Sequence, residues 1–190
     1  MRTKDEKKKQ AIIEQTLNLV MEEGIAGISM AKLAKRTKLS PGTLYLYYKN
    51  KEDLIISIYT DLFNNNSASV NDLMALDLPY KERFKKVWLH WLNHNVTNYK
   101  ALNFHNQVRQ SPFLHKIPEQ LKKDKGELSH KLFDEGKQKE ILKDVDNILL
   151  TSVLASMLSQ AASLITRKKY SLQEEDTDLL FSFLWDSIKR

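Results

Sequence analysis

Residues 40–54 read Ser40-Pro41-Gly42-Thr43-Leu44-Tyr45-Leu46-Tyr47-Tyr48-Lys49-Asn50-Lys51-Glu52-Asp53-Leu54, and this stretch decides the fold. The Ser40 hydroxyl suits the orphan amides of a helix start. Pro41 stands at the first helical position, where its missing N–H does no harm. The pattern predicts a short helix over 41–48. Asn50 repeats the start signal and leads into Leu54, Ile55, Ile58, Tyr59 and Leu62 of a further helix. On the other side, Ser29 reads as the cap of a short helix over about 30–37 that carries Leu33 and Ala34. Only Lys38-Leu39-Ser40 separate the two short helices, and helices joined this tightly cross steeply as a helix-turn-helix. Leu33, Ala34, Leu39 and Leu44 are expected to face inward, with Ile13 and Leu17 of the preceding helix behind them.

Within the second short helix, Leu44 and Tyr48 share one face, so Gly42, Thr43, Leu46 and Tyr47 point outward. Three tyrosines in four helical residues cannot all be buried; Tyr48 is the one expected in the core. An outward face of this size suits the major groove of DNA, where side chains reach base edges. Lys49 and Lys51 stand at its far end, placed for phosphate.

Charge points the same way. The 190-residue chain has a formal net charge of +6, and residues 1–51 contain 11 Lys/Arg against 5 Asp/Glu, so the whole excess lies there. Residues 52–190 are neutral. Charge alone does not separate a polyanion-binding head from a solvated lysine-rich helix start, and Lys7-Lys8-Lys9 with Arg2 and Lys4 fits either. The absence of cysteine excludes disulfides, thiolate metal sites and a cysteine nucleophile. The first residues have charges but no apolar run behind them, so a soluble, cytoplasmic protein is expected.

Residues 24–54, from Gly24-Ile25-Ala26-Gly27-Ile28-Ser29-Met30 through the Gly42-Thr43-Leu44-Tyr45 string to Leu54, resemble the DNA-binding domain of TetR/AcrR-type transcriptional regulators. The resemblance implies a DNA-binding domain over 1–51 and a ligand-sensing and dimerisation domain over 52–190. It implies a homodimer that binds a pseudo-palindromic double-stranded operator and represses until a small-molecule inducer releases it. By position, Gly42, Thr43 and Leu46 would lie against bases or thymine methyls, and Tyr45 against base or backbone. Tyr47, Lys51, Ser29 and Met30 would hold phosphates. The departure is Lys38, which stands where the family usually has glycine. A non-glycine residue in a left-handed turn costs on the order of 1 kcal/mol, so this turn is either strained or altered, and Lys38 could add a phosphate contact.

The rest of the chain reads as amphipathic helix, giving an all-α fold: a three-helix head and a C-terminal bundle, about nine helices in total. Thr3-Lys4-Asp5-Glu6 and Ser171-Leu172-Gln173-Glu174 are capping-box patterns. Ile13, Leu17, Val20 and Met21 form the expected stripe of the first helix, which Gly24 ends. Residues 64–79 are the most linker-like. Longer helices are expected near 80–99, 100–110, 119–138 and 144–167, and a last one to about Ile188.

Three features bear on the body. Phe84, Trp88, Leu92, Asn95 and Tyr99 fall near one face, with Trp91 beside it and Phe104, His105 and Arg109 on the next helix. Such a wall suits an apolar or aromatic effector, and equally an aromatic-rich core. Trp88, Trp91, Asn95, Tyr99, Phe104, His105 and Arg109 are the candidate ligand contacts. From Ile148 to Ile165 there are 18 residues without a charge, the length of a membrane span. Ser152, Ser156, Ser159 and Ser163 line one face of it, which favours a buried or inter-subunit helix over a membrane one. With Leu180, Phe181, Leu184, Trp185 and Ile188 of the last helix, these serines are the expected dimer interface.

No Ser/His/Asp or Glu/His constellation stands at recognisable spacing, so an enzyme is not expected. His90 and His94 have metal-compatible spacing but share a face with Arg83 and Lys86, so no metal and no cofactor is expected. A His-based metal protein or enzyme, drawing on five histidines that all lie beyond residue 89, and a co-activator that uses the same fold without DNA binding are the competing readings.

Overall fold

The computed structural model describes residues 4–62, 68–118 and 127–190. Arg2 and Thr3, residues 63–67, and residues 119–126 including Gly126 lie outside the described residues. The helices are α1 (Lys4–Glu23), α2 (Met30–Thr37), α3 (Pro41–Tyr47), α4 (Lys51–Asp61), α5 (Ala68–Met74), α6 (Tyr80–Thr97), α7 (Tyr99–Arg109), α8 (Glu127–Gln138), α9 (Asn147–Thr166) and α10 (Glu174–Ile188), with 3-10 turns at Ile25–Gly27 and Pro112–Lys116. Among the described residues there is no strand; one isolated antiparallel bridge pairs Leu142 with Lys189. The chain divides into two compact units, residues 1–65 with 100–119 and residues 66–99 with 120–190.

The first unit is built from short capped helices. Ser29 and Ser40 accept from the Lys32 and Thr43 amides, each at 3.1 Å, and Asn50 accepts from the Asp53 amide at 2.9 Å. Asp53 returns the favour by accepting the Lys49 amide at 2.8 Å, which fixes the bend between α3 and α4. Leu33, Ala34, Leu44 and Tyr48 are buried, as are Leu54, Ile55 and Ile58 of α4 and Phe104 and Val108 of α7. Leu39 is half-buried.

The inward stripe of α1 differs by one register from the expected one. Ile12, Thr16, Leu19 and Val20 are buried, Ile13 and Leu17 only flank them, and Met21 is exposed. The polar Thr16 fits inside because its hydroxyl donates to the Ile12 carbonyl at 2.8 Å. Gly24 ends α1 with φ +74°, the left-handed region in which glycine has no Cβ to strain.

The second unit packs α6 against α5, α9 and α10. Its centre is aromatic: Phe84 lies 6.3 Å from Phe133, 6.2 Å from Phe181 and 5.9 Å from Trp185, ring to ring. Part of the expected linker is helix here, because Val70 of α5 is buried and Leu73 and Met74 follow at helical spacing. α9 is long and apolar enough to cross a membrane by length and composition. Its Leu150, Leu154, Leu158, Ala161 and Ala162 are nonetheless buried within this bundle. The expected capping box at Ser171 does not cap α10. The Asp176 carboxylate takes both the Ser171 amide, at 2.6 Å, and its hydroxyl, at 2.7 Å, so the helix begins at Glu174 with Gln173 as its cap position.

Candidate functional site

Leu44 and Tyr48 anchor α3, and what the anchor leaves outside is an apolar, aromatic face. Leu46 is 85% exposed and Tyr45 52% exposed, while Gly42 is open and Thr43 and Tyr47 are half-buried. A single exposed leucine is ordinary on a protein surface, but Leu46 shares this one with the exposed Tyr45 and Gly42 of the same short helix. Gly42 is the more informative residue. Glycine in a helix costs about 1 kcal/mol relative to alanine, yet a Cβ built there would meet only Ser40 Oγ at 3.9 Å, an ordinary contact. Among the described residues nothing requires a glycine at this position. The Thr43 hydroxyl is held by Ser40 Oγ at 2.8 Å, so one hydroxyl orients the other.

Around this face the cationic and hydroxyl groups are partly engaged. Ser29 Oγ accepts the Lys32 amide and keeps its own proton to donate. Lys49 is exposed. Lys51 Nζ donates to the Ala26 carbonyl at 3.1 Å, and burial pulls its pKa down. Tyr47 donates its hydroxyl to the Asp5 carboxylate on the first turn of α1, a bond that raises the phenol pKa. Met30 is half-buried at the start of α2.

Lys38 adopts φ 56°, ψ 29°, so the left-handed turn is kept and a lysine occupies it. Its amide serves the Ala34 and Lys35 carbonyls, and Leu39 N donates to the Ala34 carbonyl at 3.1 Å. Below the turn, Arg36 makes a two-pronged contact to Glu22, at 3.0 and 2.5 Å, tying α2 to α1. The hydrogen bond from Arg36 holds the Glu22 carboxyl below its usual range.

The candidate ligand residues divide between the two units. In the second, Trp88 is fully buried 5.4 Å from Phe181, ring to ring, and its Nε1 has no hydrogen-bond partner among the described residues. Trp91, Asn95 and Tyr99 are half-buried. In the first unit, Phe104 is fully buried, His105 stacks on Tyr59 at 4.8 Å, and Arg109 is exposed.

Of the residues expected at a dimer interface, Phe181, Leu184, Trp185 and Ile188 are turned into the chain's own core. They stand on the stripe that meets α6, which leaves them no surface to offer a second copy. Leu180 is half-buried, Ser152 and Ser156 are exposed, and Ser159 and Ser163 are half-buried. The apolar side chains that α9 and α10 leave uncovered are Ile148, Leu149, Leu179 and Phe183, with Ile148 70% and Phe183 62% exposed.

Two residues of the site went unread in the sequence. Gln107 of α7 accepts the Ile25 amide next to Gly24; a polar residue three positions after Phe104 on an apolar stripe was the available signal. Asp5 carried no signal beyond its place in a helix start.

Residues 12–58 match the family model of bacterial regulatory proteins of the tetR family, and residues 79–189 match a tetracyclin repressor-like C-terminal domain. An uncharacterised HTH-type transcriptional regulator of Haemophilus influenzae is 24% identical over 95% of both chains. The crystal structure of a TetR family regulator from Marinobacter aquaeolei has a TM-score of 0.78 at 22% identity, covering 100% of this chain and 99% of that one. FadR of Bacillus subtilis, solved in complex with stearoyl-CoA, has a TM-score of 0.69 at 22% identity, covering 93% of this chain and 95% of that one. With a tetR-type DNA-binding head and a repressor-like body in one chain, the protein belongs to the TetR family of transcriptional regulators, whose members are not enzymes.

Proposed function

We propose that the chain is a ligand-responsive repressor that binds a pseudo-palindromic operator as a homodimer and is released by a small-molecule inducer. Gly42 carries the DNA-binding part of this reading. It is a helical glycine with free space around it, on the same outward face as Leu46, so its missing side chain serves something that approaches from outside. A base edge in the major groove is such a partner. Gly42, Thr43, Leu46 and Tyr45 would face bases, and Tyr47, Ser29, Met30, Lys38, Lys49 and Lys51 the flanking backbone. The division of labour remains 1–51 for DNA and 52–190 for sensing and dimerisation, in the cytoplasm, where chromosomal DNA is found.

Gly42→Ala tests it by pulling two readouts apart. Helix propensity favours alanine, by at most about 0.5–1 kcal/mol because Gly42 stands in the first turn of α3, so stability does not fall while DNA affinity does. Affinity equal to that of the unaltered protein would remove Gly42 from the interface.

For the effector, the unpartnered Trp88 Nε1 supports a site on α6 that joins apolar surface to one hydrogen-bond donor, with Trp91, Asn95 and Tyr99 nearby in sequence. Because FadR of Bacillus subtilis was solved with stearoyl-CoA, acyl-CoA is the first probe to use. The expected result is a raised melting temperature and release of bound duplex. The proposed dimer face comprises Ser152, Ser156, Ile148, Leu149, Leu179 and Phe183, the outward residues of α9 and α10. Phe183→Glu should convert the dimer to monomer in sedimentation experiments.

A further inference from the structure

We propose that Asp5 is a brake on DNA binding, competing with a backbone phosphate for the single hydroxyl proton of Tyr47. This inference rests on the DNA-binding reading above.

The Tyr47 hydroxyl donates to Asp5 Oδ1 across 42 positions of sequence, joining the first turn of α1 to the last residue of α3. A phenol has one O–H proton, and a phosphodiester oxygen is only an acceptor. While Asp5 holds that proton, Tyr47 has none to offer a phosphate. The other phosphate-facing groups are not caught in this way. Lys51 has three N–H donors and spends one on Ala26, and Ser29 uses a lone pair on Lys32 and keeps its proton.

Asp5 is also the wrong charge for its place. It lies within the segment that holds the entire positive excess, so docking onto a polyanion brings its carboxylate towards like charge. Asp5 is exposed and Tyr47 half-buried, so breaking their contact opens no cavity in the core. The first turn of α1 also contains Glu6, which leaves an acidic group at the helix start when Asp5 is replaced.

The test uses the full chain and a labelled mixed-sequence duplex of roughly 30 base pairs at low salt, where phosphate contacts dominate binding. Fluorescence anisotropy compares the unaltered protein, Asp5→Ala, Tyr47→Phe and the double variant, with circular dichroism as a check on helix content. Alanine removes the acceptor as well as the charge, whereas asparagine would keep a carbonyl for the Tyr47 proton. Asp5→Leu replaces Asp5→Ala if the latter loses helix. The expected result is tighter binding by Asp5→Ala, by a factor of about two to five, weaker binding by Tyr47→Phe, and a gain from Asp5→Ala that shrinks in the Tyr47→Phe background. Unchanged or weaker binding by Asp5→Ala, with the unaltered protein still binding, overturns the brake alone. An equal gain in both backgrounds also overturns it, assigning the effect to charge repulsion. Failure of all four proteins to bind overturns the DNA-binding reading and the brake together.

Discussion

Gln107 Oε1 accepts the Ile25 amide at 2.8 Å while Nε2 of the same side chain reaches the Val20 carbonyl at 3.4 Å. One amide from α7 thus takes the Ile25 N–H beyond the end of α1 and adds a second bond to the Val20 carbonyl, which already accepts the Gly24 amide at 3.0 Å where Gly24 turns the chain left-handed. The fit is close: a Cβ at Gly24 would stand 3.3 Å from Gln107 Oε1. Gln107→Ala leaves a half-buried amide without a partner, which costs about 1–3 kcal/mol in urea unfolding. Gln107→Glu, which keeps the acceptor for Ile25, should lose less than Gln107→Ala.

Lys38 stands in a left-handed turn with φ 56°. Replacing it with glycine removes the Cβ clash of that conformation, offset in part by the extra freedom glycine has when unfolded. Lys38→Gly should raise stability by about 0.5–1 kcal/mol. A loss of stability would mean that the lysine side chain holds the turn in some other way.

Gly136 in α8 is required by close approach. A Cβ there would collide with the Tyr80 ring and hydroxyl and with Leu142, and Tyr80 is pinned by its hydrogen bond to the Leu132 carbonyl at 2.7 Å. Gly136→Ala should therefore destabilise the protein by about 1–3 kcal/mol, the usual range for overpacking, even though alanine is the better helix former.

Burial, with the Asp61 and Asp53 charges adding to it, pushes the Tyr48 phenol up to about 12. The folded state thus holds the Tyr48 proton more tightly than the unfolded chain does. The stabilisation is fully present below pH 10 and is lost as the pH rises towards 12. Stability should fall by about 1–2 kcal/mol from this group between those limits, and Tyr48→Phe should abolish that part of the fall. The Tyr48 hydroxyl is buried with no hydrogen-bond partner among the described residues, so the same variant should cost nothing at neutral pH.

What the sequence made legible was local. Ser29, Ser40 and Asn50 cap the helices they were expected to cap, because a cap needs only the next three residues. The partition of the tyrosines followed from helical spacing, with Tyr48 inside and Tyr45 outside. Readings failed where a polar side chain found a partner that the hydrophobic pattern ignores. Thr16 satisfied itself on the Ile12 carbonyl and moved the stripe of α1. Asp176 captured Ser171 and displaced the cap of α10.

Apolar residues that share a helix can also meet different partners. Phe181, Leu184, Trp185 and Ile188 suited a partner surface on paper, and the choice between partner and core depended on α6, more than 80 positions away. The same holds for Asp5 with Tyr47 and for Ile25 with Gln107. A local signal, where there is one as at Gln107, does not name the partner.

The most direct measurement is selection of bound duplexes from a random-sequence pool by the full-length protein, followed by sequencing. Enrichment of an inverted repeat with two half-sites about one helical turn apart, or a multiple of it, is the expected result, with affinity for it falling steeply as salt rises. A pool that stays random, or that converges on an unrepeated site, would contradict a dimer reading DNA through the α3 face of Gly42 and Leu46.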